Sequence, residues 1–586
     1  MQQLVESQDE KLFRFTRGSK SNTDIIIVGE AWGSEERAAQ LPFVGSSGKE
    51  LDRMLAEAGL GDARILCTNL IHEQPPGNDF THFLAQQKAQ GVEYVKFEGL
   101  QIRPALKKGI EDLWRLIDHV QPKLLIAAGN FPLWALSHHA GISTQKGFKL
   151  PTGITSWRGS QTFSREILGR RYPLLPIIHP AAILREWGFR QITVQDLRRA
   201  RRFLDRPNSW ETPNRTFTIH RPTYQQVIQR LRQWKIQLDS NSSLELAVDL
   251  ETYKRKWISV VGLADEKIEL CIPLIFKGEA RIQSYFALRE EQIIWASLKE
   301  ILEHPNVRII GQNFIYDTEW FHRLYNIRAI VSFDTMVAHH LLFPGTPKRL
   351  DYLASLYCEH YCYWKDESGD WDNFPDDADR YWKYNCKDTR ATFECAKVLK
   401  SALESQNITQ LYTFQMENWK LSRALMIQGI SFDTALQKAL RLQLMEEASS
   451  ISQWLLQAVP EPFRLSSSGK PWHDSPKATA FLFYEVLGLK EIKHRVTGAR
   501  TTDDKAIEEL KEAYKWLEPL FSRLQHLRSL GVFTSNFLDA RTGVDRRMRC
   551  SFNIAHTETF RWSSNSNGFG EGTNLQNIPR VTQESY

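Results

Sequence analysis

Five residues in three short patches carry the groups best suited to chemistry. They are Asp249 and Glu251 in LAVDLETY, Asp317 in GQNFIYDTEWF, and Tyr384 with Asp388 in YNCKDTRA. The largely aliphatic run 244–250 predicts a strand, and strand side chains two apart leave on one face, so Asp249 and Glu251 can point at one spot. The stretch 390–400 predicts a helix that reaches back over the third patch, and Tyr384 and Asp388, four apart, then share a helical face. Four carboxylates converging without a compensating lysine or arginine would repel one another unless divalent cations sat between them. Oxygen-only ligands with open positions suit Mg²⁺ or Mn²⁺ rather than zinc. Two such ions about 4 Å apart serve in-line phosphodiester hydrolysis.

Any one patch alone reads as ordinary solvated carboxylates. Together and in order, with Asn313 four residues before Asp317, the set resembles the three motifs of the tyrosine-using proofreading 3′–5′ exonucleases, including the editing domain of family A DNA polymerases. The resemblance implies a ribonuclease H-like exonuclease domain. It also implies that Asp249, Glu251 and Asp388 hold one metal, that Asp249, with Asp317 through water, holds the other, and that Tyr384 orients the attacking water.

The 586 residues predict three to four domains, each able to bury its own core. A charged fraction of 25% and a hydrophobic fraction of 42% describe a globular chain. No apolar run reaches the roughly 18 residues of a membrane span, and residues 1–15 lack the apolar core of a signal peptide. Seven scattered cysteines predict a reducing compartment without a disulfide framework, hence the cytoplasm, of a bacterial host if the chain is phage-encoded. Cys358, His360 and Cys362 lack a second ligand pair at zinc-finger spacing, so they read as buried thiols and not as a zinc site. The charge of +6 is modest, but 18 Trp, 17 Tyr and 31 Phe among basic residues suit single-stranded nucleic acid.

These patches need elements to position them, and the chain divides accordingly. Residues 1–205 form a first unit, and the polar, proline-bearing stretch 206–215 predicts a linker. Strands alternate with helices over 216–405, around the carboxylate patches. Helical periodicity follows at 411–428, 434–458, 477–487 and 503–540, with 406–547 as one helical unit. Residues 548–562 return to alternating β character and open a last segment, 548–586. The fold class is multidomain α/β.

In the first unit, DIIIVGE, ARILCTN, KLLIAAGN and LLPIIH are short aliphatic runs separated by helical stretches, the pattern of a buried parallel sheet. Ligands bind beyond the carboxyl ends of such strands, where Glu30, Asn69 and His179 would cluster. Each of the three also has a plain explanation as a cap, a turn residue or a core histidine. The segments GEAWGSEERAAQLPFVGSSGKELDRML, TNLIHEQPPGN and HPAAILRE resemble the uracil-DNA glycosylase superfamily over residues 22–204. That resemblance implies that Phe43 stacks on a flipped uracil, Asn69 reads its polar edge, Glu30 and Glu36 position or activate water, and His179 stabilises the leaving anion. Three departures stand against it: Trp32 replaces the usual proline, residues 81–108 are an insertion, and Cys67 is the sole cysteine before Cys271. No iron–sulfur cluster is expected. The domain can equally be a uracil sensor or purely structural.

Further on, the loops 464–473 and 494–502 are small, polar and basic, suited to phosphate contacts. SPKATAFLFYEVLGLK, TGARTTDDKAIEEL and TETFRWSSNSNGFGEGTNLQNIPR resemble the thumb and first palm strands of family A DNA polymerases. By that resemblance Arg561, Asn574, Gln576 and Asn577 lie along the primer–template, in its minor groove. The palm aspartates and the fingers are not in the 586 residues, so polymerisation would need a second polypeptide, as in a split polymerase. A first exon and a shortened piece of a longer chain fit equally. The expected function is proofreading excision on DNA with two Mg²⁺ (or Mn²⁺) ions. The rivals are base-excision repair by the first unit and a non-catalytic DNA-gripping subunit.

Overall fold

The four aliphatic runs of the first unit become the four parallel strands of one sheet. A computed structural model describes residues 12–85, 93–145, 147–211, 217–278, 281–367, 378–495 and 498–577. With β1 (Arg17–Gly18), β2 (Ile25–Gly29), β3 (Ile65–Asn69), β4 (Leu124–Ala128), β5 (Thr162–Phe163) and β6 (Pro173–Ile177), the order is β1-β3-β2-β4-β6-β5. The inner strands β3, β2, β4 and β6 run parallel, while β1 and β5 close the edges antiparallel. Ile25, Ile26, Ile27 and Val28 are wholly buried. A strand covered on both faces needs such an unbroken apolar run.

A second six-stranded sheet follows. Its strands are β7 (Phe217–Ile219), β8 (Leu244–Tyr253), β9 (Trp257–Ala264), β10 (Ile268–Pro273), β11 (Val307–Gly311) and β12 (Val331–Asp334), in the order β7-β10-β9-β8-β11-β12. Strands β8, β9 and β10 form an antiparallel meander, and β11 and β12 extend β8 in parallel. The helix Ala378–Ser405 packs across this sheet and buries Tyr381, Tyr384, Asn385, Asp388 and Thr389. It passes close over Gly262, which pairs with Asp249 across β8 and β9. A Cβ there would lie 2.3 Å from Asn385 Oδ1 and 2.7 Å from Thr389 Cγ2, so only glycine lets the helix approach.

Packing divides the chain into two units, residues 1–313 with 331–409, and residues 314–330 with 410–586. Both sheets lie in the first. Its two halves meet through a buried charge cluster. Arg158 grips Asp196 with two bonds, of 2.9 and 3.0 Å, and donates a third to Ser355 Oγ at 2.9 Å. Arg199 donates to the carbonyls of Ser355 and Cys358 at 2.7 and 3.2 Å.

The stretch read from sequence as a linker is partly built into the fold. Pro207–Ser209 forms a 3₁₀ turn, and Trp210 is buried against Phe203, its Nε1 donating to Thr162 O at 2.8 Å. An aromatic side chain of that size gains more from burial than a polar context suggests. Residues 212–215 lie outside the described residues.

The second unit holds the expected helices, with one correction. Thr409–Gln428 and Thr434–Gln457 are continuous, but the helical run expected over 503–540 is four pieces: Asp504–Ala513, a 3₁₀ turn at Lys515–Leu517, Glu518–Phe533, and a π-helical turn at Thr534–Leu538. Tyr514 leaves helical space at φ −126° and ψ 68°, and Pro519, which lacks an N–H, starts the next helix. Apolar periodicity continues across this break because Ile507, Leu510, Phe521 and Leu524 all enter one core with Trp472 and Phe483. Short strand pairs Ile430–Ser431 with Arg547–Met548, and Cys550–Asn553 with Ser563–Ser566, supply the β character.

Candidate active site

Asp249 and Glu251 project from one face of β8, and Asp388 faces them from the helix Ala378–Ser405. A carboxylate oxygen of each lies within 4.8 Å of the others. The pairing of β8 with β9 slips between Glu251 and Thr252, a bulge that re-aims the strand beside the cluster. Asn385 Nδ2 donates to Asp249 Oδ2 at 2.9 Å. Burial, then the charge of Asp388, pushes the Asp249 carboxyl up to about 8. Carboxylates this close, with no cysteine or histidine among them, form a donor set that fits a hard divalent cation.

One expectation fails here. The sequence pattern predicts carboxylates without a compensating base, yet Lys365 Nζ donates to both Asp388 oxygens at 2.8 and 2.9 Å and to the Tyr384 hydroxyl at 2.8 Å. Trp364 Nε1 adds a bond to Asp388 Oδ1 at 2.7 Å. No sequence motif marks Lys365, Trp364 or Asn385. Asn385 adjoins Tyr384 in the third patch, whereas Trp364 and Lys365 sit about 20 residues upstream, where Lys365 opens the short 3₁₀ turn Lys365–Glu367 and no apolar periodicity marks the stretch.

Asp317 is placed in the first turn of the helix Ile315–Tyr325, and is buried. That helix packs with the second unit. There Asn567 Nδ2 donates to Glu319 at 2.9 Å, Arg323 pairs with Glu571 at 2.8 Å, and Trp320 stacks on Phe569 at 4.1 Å.

A cavity of 720 Å³ opens beyond the carboxyl ends of the first sheet, and Glu30, Glu36, Phe43, Asn69 and His179 all line it. Two glycines permit this convergence. A Cβ on Gly29 would lie 2.4 Å from Asn69 Oδ1 and 2.6 Å from Phe43 Cζ, and one on Gly129 would lie 2.7 Å from Glu30 Oε1. Phe43 sits at φ +55° with its ring 6.2 Å from that of His179. His179 Nδ1 accepts from the Ala181 N–H at 3.1 Å, so the neutral ring carries its proton on Nε2. Burial, then Arg185, lowers its pKa to about 4, so the ring is neutral at pH 7. Glu36 is engaged locally, its Oε1 accepting from the Gly45 N–H at 3.0 Å.

Residues 224–404 match the family described as 3′–5′ exonuclease, and residues 15–200 match the uracil DNA glycosylase superfamily. The DNA polymerase I of Borreliella burgdorferi is 25% identical over 357 residues, 60% of this chain and 36% of that protein. The DNA polymerase of Bacillus phage SP01 is 24% identical over 375 residues, 58% of this chain and 35% of that protein. Over these stretches the chain is similar to DNA polymerases of family A. It spans about a third of the length of these two relatives. A type-4 uracil-DNA glycosylase of Saccharolobus solfataricus is 26% identical over 208 residues, 34% of this chain and 83% of that enzyme.

Within the glycosylase-like domain, Trp32 turns into a cluster with Phe15 and His72, at centroid distances of 5.2 and 5.8 Å, while still forming part of the cavity wall. Burial raises Glu30 to about 7, with the Phe131 N–H and Arg185 opposing. Because this folded pKa exceeds the ordinary 4.5, the folded domain keeps a proton that the unfolded chain has released. Its stability therefore falls as pH rises between those values. Glu30→Gln removes that loss. Chemical melts at pH 8 should show the variant more stable by about 2 kcal/mol, with no gain at pH 4.

Of the thiols expected to be buried in the exonuclease domain, Cys358 is, with its Sγ 3.8 Å from that of Cys395, but Cys362 is exposed. In the second unit Arg561 is exposed, and its carbonyl accepts from the Thr557 hydroxyl at 2.7 Å. Asn574 Oδ1 accepts from the Ser564 hydroxyl and the Gln576 N–H, both at 3.1 Å, while Gln576 Nε2 donates to the Trp562 carbonyl. Both side chains thus brace the strand pair that carries them. Asn577 is exposed, and residues 578–586 lie outside the described residues. Among the described residues no helix is long and apolar enough to cross a membrane.

Proposed function

We propose that this chain removes 3′-terminal nucleotides from single-stranded DNA at the Asp249, Glu251 and Asp388 cluster, with Mg²⁺ or Mn²⁺ as the metal. The observation that carries the reading is the approach of three carboxylate oxygens to within 4.8 Å in the domain matching the exonuclease family. Asp249, Glu251 and Asp388 would hold one ion, and the family resemblance gives Asp317 a water-mediated part in holding a second. Bound divalent ions would supply an activated water and stabilise charge on the scissile phosphate. Tyr384 orients the attacking water through its hydroxyl. The second unit grips primer–template through Arg561, Asn574, Gln576 and Asn577, contacts that carry shape and charge and not sequence. An oligonucleotide labelled at its 5′ end tests the direction of cleavage. A ladder shortening from the 3′ end, in the presence of Mg²⁺, is expected. Immediate release of the label as a short product would reject the reading.

The cavity of the glycosylase-like domain favours a second activity, excision of uracil. Phe43 offers a stacking face, the Asn69 amide reads the base, Glu30 and Glu36 position water, and neutral His179 donates from Nε2 to the departing base. Release of free uracil from a uracil-bearing single strand, lost in Asn69→Ala, is expected. A wild-type chain that releases none would leave the domain without this activity.

A further inference from the structure

Residues 358–367 run from the N-terminal sheet domain to the carboxylate cluster and are bound at both ends. At the first end, Tyr361 accepts from the Gln161 N–H at 2.7 Å, donates its own N–H to Gln161 Oε1 at 3.1 Å, and donates its hydroxyl to Ser156 O at 3.3 Å. The Tyr363 N–H donates to Ser160 Oγ at 3.0 Å, and its ring meets Trp157 edge-on at 5.3 Å. At the other end, Trp364 and Lys365 reach Asp388 and Tyr384 with the bonds already described. Lys365 Nζ also lies 4.7 Å from the centre of the Tyr384 ring.

A single ammonium therefore occupies both oxygens of the one carboxylate that the helix contributes to the cluster. A divalent ion cannot bind Asp388 in this arrangement without displacing or sharing that ammonium. One positive charge among three carboxylates leaves the cluster net negative, so a divalent ion remains attracted, but only to the state in which Lys365 has swung away. We propose that Lys365 is a tethered counter-ion that competes with the divalent metal for Asp388, and that the anchorage of its segment on Ser156, Ser160 and Gln161 sets how strongly it competes. It is a positioning residue: in the metal-free protein it keeps Asp388 and the Tyr384 hydroxyl in place, and it withdraws as metal enters. The N-terminal domain thereby tunes the metal requirement of the exonuclease centre. This inference rests on the exonuclease reading.

The test uses the full chain and Mn²⁺ alone, with free Mn²⁺ followed by electron paramagnetic resonance. Wild-type binding that disappears in Asp249→Asn assigns the signal to the carboxylates, and its absence would overturn the exonuclease reading itself. Given that binding, Lys365→Met is expected to tighten the Mn²⁺ dissociation constant by about tenfold, as removal of a competing state that fills roughly nine-tenths of the population requires. Lys365→Arg, which retains the charge, is expected to stay near wild type. Gln161→Ala should shift binding in the same direction as Lys365→Met but by less, and the double variant should bind no tighter than Lys365→Met. The Mn²⁺ concentration for half-maximal cleavage should fall in parallel. Thermal melts check that each variant is folded, and Lys365 is partly exposed, so its replacement leaves no cavity. A Lys365→Met chain that binds Mn²⁺ no tighter than wild type, or more weakly, overturns the proposal.

Discussion

Asp249→Asn is expected to lower the rate of 3′-terminal excision by about 10³-fold or more, since in the proposed centre a shared metal ligand would carry several kcal/mol of transition-state stabilisation. The same substitution should make the metal-free protein more stable, and this opposite sign is the sharper check. Asp249 titrates at about 8 because burial and the Asp388 charge disfavour its anion. A folded pKa above the ordinary 3.8 means that stability is lost as pH rises from that value toward about 8. Replacing the acid by its neutral isostere restores what was lost, on the order of 2–4 kcal/mol at pH 8. In chelator at pH 8 the variant should therefore melt higher than wild type, and the gap should close toward pH 4. Added Mg²⁺ should raise the melting temperature of wild type and not of the variant. A variant that keeps wild-type excision, or that melts lower in chelator at pH 8, would remove Asp249 from the centre. Such a trade of stability for function is general where like charges must be held together.

Asp196→Ala should destabilise the first unit by about 3–5 kcal/mol, the cost of leaving a buried partner charge uncompensated. Asp196 is wholly buried, and Arg158 and Arg199 are each 3% exposed, so neither guanidinium reaches water when the carboxylate is removed. Burial already works against two members of the cluster. It pushes the Asp196 carboxyl up, against Arg158 and Arg199, and lowers Arg199 to about 10. Replacing the whole set is a different experiment from breaking it. Asp196→Leu combined with Arg158→Met and Arg199→Met should recover much of the loss, because a packed apolar cluster needs no desolvated charge. Denaturant midpoints of the two variants compare them directly. Equal loss in both would mean that the cluster contributes bonds to Ser355 and Cys358 that apolar packing cannot replace.

The parallel sheet was legible because strands buried on both faces must be continuously apolar, and Ile25 to Val28 announce this without any neighbour. The carboxylate cluster was legible for a related reason. Asp249 and Glu251 follow the strand period, and Tyr384 and Asp388 follow the helical one, so local geometry decides which way they point. Lys365 was not legible. Its place depends on Tyr361 and Tyr363 docking about 200 residues away in sequence, on Gln161 and Ser160, and a single 3₁₀ turn is too short to set a period from which to infer a direction. Trp210 failed in the same way: its polar neighbours suggest a linker, while its own ring finds Phe203 and Thr162. The break at Tyr514 hid behind a core that takes apolar residues from both sides of it.

The helix Ile315–Tyr325 sets a schedule for the ribosome. Its buried Glu319 takes its bond from Asn567, 248 residues later in the chain. At about 5–20 residues per second, the partner leaves the ribosome roughly 10–50 s after the helix has been made. Through that interval Trp320 and Glu319 wait for Phe569 and Asn567, exposed to any chaperone or protease that reads apolar surface. The helix that carries Asp317 is therefore among the last parts of the newborn chain to be completed, long after Asp249 and Asp388 have been synthesised.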